Sequence, residues 1–171
     1  YPEILSADTS FINGSEVNNE ELLKLNPDVV FYNASSKELG TQLKNSGFNA
    51  VAVSVSKWNY NDIETLNNWI DLLNQIFPGN EKTKTVKGYS AKIYDMVQKR
   101  VADIPADKRA RVFFLFQYSD TKITTSGKLF FGQWWADAVG AVNVAEELKT
   151  DNSVNVNMEQ IYKWNPDIIL M

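Results

Sequence analysis

The sequence predicts an α/β protein whose sheets are mainly parallel, arranged as two similar lobes joined by one long helix. Three observations carry this. Short apolar runs alternate with stretches of helical periodicity, the pattern of a parallel sheet with crossover helices. A fourteen-residue segment occurs twice. A long helical segment lies between the two copies. At 171 residues the chain is long enough for one domain or two small lobes.

The repeat comes first. Residues 18–31 read NNEELLKLNPDVVF and residues 157–170 read NMEQIYKWNPDIIL. Asn18, Glu20, Lys24, Asn26, Pro27 and Asp28 recur as Asn157, Glu159, Lys163, Asn165, Pro166 and Asp167. Each copy starts at Asn, carries Glu in a first turn where the helix dipole favours it, and stops ahead of Asn-Pro. A continuous apolar run follows and reads as a buried strand. Asp28 and Asp167, at the strand entries, suit capping better than acid/base chemistry.

Between the copies the elements follow in order. Residues 28–32 are a strand. Residues 36–46 are a helix closed by Gly47. Residues 49–55 alternate as a strand. Residues 61–77 are an amphipathic helix, with Ile63, Leu66, Ile70, Leu73 and Phe77 on one face. Pro78-Gly79 breaks it, and Asn80 is positioned to cap a second long helix reaching about Asp103. Val86, Tyr89, Ile93, Val97 and Val101 form its stripe. It is read as the connector, with an ordinary crossover helix as the alternative. Pro105 ends it, Arg111–Phe116 is a strand, Ser126-Gly127 a turn, and residues 131–139 a helix stopped by Gly140. Residues 159–164 and 167–170 complete the second copy.

Composition narrows the chemistry. Lys and Arg number 17 against 21 Asp and Glu, a net charge of −4, so nucleic acid is not expected as a partner. Cys and His are absent, which excludes disulfides, thiolate metal sites, imidazole haem ligation and any Ser-His-Asp triad. No phosphate-binding glycine loop or nucleophile elbow occurs. No metal site, catalytic residue or resident cofactor is expected. No apolar run is long enough for a membrane span. The second copy ends at Met171 directly after its strand, so the sequence is expected to be incomplete at both ends and to belong to a protein of roughly 250–300 residues.

At this point the residues resemble a known family. Glu20 to Phe31 and Glu159 to Leu170 are similar to the Glu…Pro-Asp blocks of class III periplasmic solute-binding proteins, the receptors of ABC importers for ferric siderophores, haem and vitamin B12. Gly140-Ala141-Val142-Asn143-Val144-Ala145 resembles the segment that precedes the second block in that family. Arg111-Val112-Phe113 with Thr125-Ser126-Gly127 resembles the first strand of the C-terminal lobe and its loop. The resemblance implies an N-terminal lobe over residues 1–78, a connector helix over 79–104 and a C-terminal lobe over 105–171, with solute held between lobes. It implies an extracytoplasmic location, periplasmic or lipid-anchored at the outer face of the cell membrane. It also implies that Glu20 and Glu159 dock on arginines of a dimeric permease, their alternative role being helix N-terminal charges.

Ligand contacts are expected in loops after the C-terminal ends of strands. That selects Asn33, Ser35 and Ser36; then Lys57, Trp58 and Tyr60; then Gln117, Tyr118, Ser126 and Lys128, and Trp134 in the helix that opens at Phe131. For the lysines a solvated surface role is the alternative, and for Trp134 a core role. A ferric siderophore ranks first as ligand, because lysines and aromatic rings suit an anionic chelate. A small oxyanion such as molybdate or tungstate ranks second. The tryptophans of the family's corrinoid cage are replaced here by Gly14, Asn33 and Ser153, which lowers vitamin B12, and haem would need tyrosine ligation. Rival functions are a partner-binding module without transport and, last, an enzyme. The full-length protein is expected to be a monomer, with a swapped dimer as the alternative for the fragment.

Overall fold

The computed structural model describes residues 5–14, 16–79 and 82–171. Tyr1 and the expected cap Asn80 lie outside them. Two compact units are present, Tyr1–Ser54 and Val55–Met171. The expected division into lobes 1–78 and 105–171 around a connector is a different partition, and stays a proposal about the whole protein.

In the first unit a small antiparallel ladder, β1 (Ile12–Asn13) and β2 (Glu16–Val17), leads into α1 (Asn19–Leu25). The Asn18 side chain accepts hydrogen bonds from the Glu20 and Glu21 amides, and Asn26 closes the helix in the left-handed region at φ 47°. Strand β3 (Val30–Asn33), helix α2 (Lys37–Asn45) and strand β4 (Ala50–Val53) form a parallel βαβ unit, paired from Val30 with Ala50 to Asn33 with Val53. Helix α2 ends as its sequence predicts. Gly47 takes φ +86°, its N–H reaches Lys44 O, and the Phe48 N–H reaches Leu43 O, the paired bonds of a Schellman ending. Leu22, Leu43 and Phe48 form the buried core.

The second unit starts with two helices, α3 (Asp62–Ile76) and α4 (Lys82–Val101). Asn61 caps α3 by accepting from the Glu64 amide. Lys87 of α4 bonds Asp71 of α3 at 2.7 Å. The expected stripe on α4 is only partly covered. Ile93, Val97 and Val101 are half-buried, whereas Val86 and Tyr89 are exposed.

Strands β5 (Arg111–Phe114), β8 (Val142–Asn143) and β10 (Ile168–Leu170) form a parallel sheet in the order β10-β5-β8. Alternation along β5 divides the core. Phe113 packs with Val144, Ala145, Ile161 and Trp164 on one face, and Val112 and Phe114 pack with Ala136 on the other. A second sheet is antiparallel: β6 (Gln117–Ser119), β7 (Lys122–Ser126) and β9 (Ser153–Val156). The sequence reading holds none of these three strands and runs β5 on to Phe116. Helix α5 (Phe131–Ala138) follows β7, and α6 (Met158–Trp164) precedes β10.

The repeated segments fold alike. Asn157 caps α6 through the Gln160 amide, and Asn165 ends it at φ 46°. Asp167 joins the strand entry: its carboxylate accepts from the Arg111 N–H at 2.8 Å. Strand β10, expected to be buried, is half exposed at Ile168, Ile169 and Leu170, because it lies at the sheet edge among the described residues.

Candidate functional site

In the first unit the loop leaving β3 is a tight turn. Asn33 Oδ1 accepts from Ser35 N at 3.0 Å and from Ser35 Oγ at 2.9 Å, while the Ser36 N–H donates to Asn33 O. The Asn33 carboxamide is thus engaged in shaping the turn. Ser35 and Ser36 line a groove of about 630 Å³ together with Glu16, Lys37, Glu38 and Gln42. Ser36 starts α2 without a side-chain capping bond.

In the second unit the loop from β7 to α5 builds another groove, of about 470 Å³. Two backbone bonds pin that loop, Lys128 N to Leu148 O at 2.8 Å and Leu129 N to Thr150 O at 3.1 Å. Gly127 lets this loop lie against the segment between β8 and β9: a Cβ there would collide with Leu148 O. Lys128, Phe130, Gln133 and Trp134 line the groove with Asn59, Leu129, Asp137 and Glu146. Trp134 is half-buried and stacks on Tyr94, ring centroids 6.3 Å apart and 10° from parallel. Its core and surface roles therefore coexist.

Ser126 is corrected by the structure. It is fully buried, and its Oγ accepts from the Gly132 N–H at 2.8 Å. The hydroxyl supports the start of α5 from below, out of a solute's reach. Gln117 and Tyr118 are not among the residues that line the groove. The chain turns into a hairpin after β5 rather than a loop, so both sit exposed on β6 and away from the groove.

Residues 57–60 form a strained loop. Asn59 and Tyr60 both hold positive φ, 51° and 59°, a conformation that costs an L-residue about 1 kcal/mol. The Lys57 ammonium lies 5.0 Å from the Trp58 ring centroid, within cation–π range. Tyr60 meets Phe130 edge-on at 5.2 Å and donates to Asp151 O at 3.4 Å. Burial first, and the Asp151 charge second, push its phenol above the ordinary 10.0. Tyr60 thus stands behind the groove wall. The rings of Phe116, Phe130, Phe131 and Trp135 continue that wall through edge contacts.

The residues selected from sequence leave out Asn59, Leu129, Phe130, Gln133, Asp137 and Glu146 among those lining this groove. The spacing of Gln133 and Asp137, one helical turn apart, was the available signal; their side chains bond at 3.0 Å. Glu20 and Glu159 are exposed in the first turns of α1 and α6. Neither is in a salt bridge among the described residues. No group of three or more acidic side chains able to hold a metal ion occurs among the described residues, and no helix there is long and apolar enough to cross a membrane.

Comparison with known proteins decides the family. The family model described as periplasmic binding protein matches residues 2–171. The chain belongs to the periplasmic binding protein family. Within it, the chain is 27% identical over 175 residues to the molybdate-binding protein MolA of Haemophilus influenzae, an alignment covering 92% of this chain and 48% of that relative. A periplasmic solute binding protein of Veillonella parvula has a TM-score of 0.75 at 29% identity, over 98% of this chain and 48% of that structure. The periplasmic haem-binding protein HutB of Vibrio cholerae shares the fold at a TM-score of 0.75 and 20% identity, over 99% and 63% of the two chains. The chain therefore spans about half the length of the first two of these binding proteins. The family resemblance expected from the two Glu…Pro-Asp blocks is thereby shown, and with it the α/β fold with parallel sheets.

Proposed function

We propose that the protein is the extracytoplasmic solute-binding receptor of an ABC importer, and that its solute is a ferric chelate of siderophore type. Family membership supports the receptor role. The observation that carries the chelate is the groove of the second unit, where Phe130, Trp134 and Lys128 stand together around about 470 Å³. Aromatic walls with a few hydrogen-bonding groups suit a bulky organic shell. A bare oxyanion at α5 would need its first amides, yet the Gly132 N–H is held by Ser126 Oγ and the Gln133 N–H by Phe130 O. Ser35 and Ser36 of the first unit, and Lys57 and Trp58, are the other proposed solute contacts, with Tyr60 backing the Phe130 ring. Glu20 and Glu159 are the proposed contacts with the permease.

A second reading, a molybdate or tungstate receptor, is favoured by the likeness to the molybdate-binding relative. It would use Ser35, Ser36 and Lys37 at the start of α2, where the helix dipole favours an anion. Thermal-shift titration of the purified protein separates the two readings. Ferric hydroxamates are expected to raise Tm, and a ligand at a hundredfold excess over Kd stabilises by about 2.7 kcal/mol. A shift with molybdate or tungstate alone would replace the chelate by the oxyanion, and a shift with none of them would remove both.

A further inference from the structure

The groove of the second unit carries a charge bias that the receptor role does not specify. Lys128 is its one ammonium group, whereas Asp137 and Glu146 are both carboxylates. All three are exposed to solvent, and none is in a salt bridge among the described residues. The groove of the first unit repeats the bias independently, with Glu16 and Glu38 beside Lys37.

Asp137 is held in place from the interior. The Asn143 side chain is fully buried. Its Nδ2 donates to Ser126 O at 2.9 Å and to Gln133 Oε1 at 3.3 Å, and its Oδ1 accepts from the Ala145 N–H at 3.1 Å. Because Gln133 Oε1 is turned inward to meet this donor, Gln133 Nε2 is left facing outward. It donates to Asp137 Oδ1 at 3.0 Å. A buried amide thus dictates which end of a groove-lining amide meets the carboxylate.

We infer that Asp137 and Glu146 are specificity determinants that turn polyanionic solutes away, so that this groove takes neutral or cationic chelates, with Asn143 acting through Gln133 as the positioning residue for Asp137. The inference rests on the receptor reading and revises the anionic chelate that the lysines alone suggest. Like charges brought together across a binding surface discriminate by repulsion. The face of Trp134 adds attraction for a cation.

The test is a tryptophan-fluorescence titration of the purified protein at low salt. Its probes are ferrioxamine B, a monocationic ferric trihydroxamate; ferrichrome, a neutral one; and a trianionic ferric tris-catecholate. The tris-catecholate is expected to bind at least about tenfold more weakly than the cation, a gap that narrows as salt screens the carboxylates. Asp137→Asn with Glu146→Gln is expected to reduce the ratio of cation to trianion affinity to about threefold or less. Gln133→Leu, which cuts the tie between Asn143 and Asp137 without burying a new charge, is expected to lower the same ratio part of the way. A purely structural role for Gln133 would weaken all three chelates alike. A tris-catecholate that binds tightest, or a ratio unmoved in the double variant, overturns the inference and leaves the receptor reading standing. Binding of no chelate overturns both.

Discussion

A methyl group added at Gly132 would lie 2.7 Å from Phe114 Cδ2 and 2.8 Å from both Cβ and Oγ of Ser126. Neither neighbour has room to yield, since Phe114 and Ser126 are buried. Gly132→Ala is expected to destabilise the protein by about 1–3 kcal/mol, the usual cost of overpacking, read as a lower urea midpoint. Ser126→Ala tests the same contact from the other side. It leaves the Gly132 N–H without its acceptor, a loss of about 1–3 kcal/mol for a buried donor. Tyr60 makes a pH-dependent contribution whose sign follows from its raised pKa. The folded protein holds the phenolic proton more tightly than the unfolded chain, so the contribution is intact below the ordinary 10.0 and is lost as pH rises through the folded value. Tyr60→Phe is therefore expected to flatten the fall of Tm with alkaline pH, as thermal melts on both sides of that value will show.

Helices α1 and α6 are seven-residue elements that no isolated peptide would hold, and both are bracketed by asparagines. Asn18 and Asn157 accept amide hydrogen bonds at the starts, and Asn26 and Asn165 take the left-handed ending before proline. Asn18→Ala or Asn157→Ala is expected to cost about 1 kcal/mol each by chemical denaturation. At Asn26 and Asn165, Ala is expected to destabilise and Gly to be neutral or stabilising, because glycine accepts positive φ freely. These devices were legible because caps, proline and apolar spacing all lie within a few residues of one another. Strands β6, β7 and β9 were not, since Gln117-Tyr118-Ser119 or Thr124-Thr125-Ser126 reads as polar loop. Thr124, Thr125 and Ser126 are nonetheless buried, because β7 is the central strand between β6 and β9, and that pairing is set by residues some thirty positions away. The site divides in the same manner. The rule that ligands gather at strand C-termini selects Ser35, Ser36 and Lys128, which line the two grooves. It also selects Gln117 and Tyr118 by assuming a loop where the chain makes a hairpin, and these two stand on β6 outside the groove lining. Asp137 and Glu146 look like ordinary solvated charges until the helix and loop that carry them close on one groove.

At the scale of the molecule, the same helix-then-strand unit occurs once in each compact unit, and each copy offers a carboxylate to solvent in its first helical turn. A local role for Glu20 and Glu159 is bounded in size. A surface charge at a helix N-terminus is worth about 0.3–1 kcal/mol, so Glu20→Gln with Glu159→Gln should lower stability by no more than about 2 kcal/mol in all. A docking role has no such ceiling, because removing one partner of a desolvated Arg–carboxylate pair costs about 2–5 kcal/mol per pair. A dimeric permease offers its surface twice, which suits a receptor with two equivalent carboxylates. On the docking role proposed for Glu20 and Glu159, the whole protein carrying both substitutions is expected to bind its solute as before, yet fail to stimulate the ATPase activity of the reconstituted importer. Each single substitution should retain part of that stimulation. Exchanging the permease arginines for glutamates and Glu20 and Glu159 for arginines should restore it, which a folding defect would not allow. Undiminished stimulation by the double variant would reduce the two glutamates to helix-end charges and move the docking surface elsewhere on the receptor.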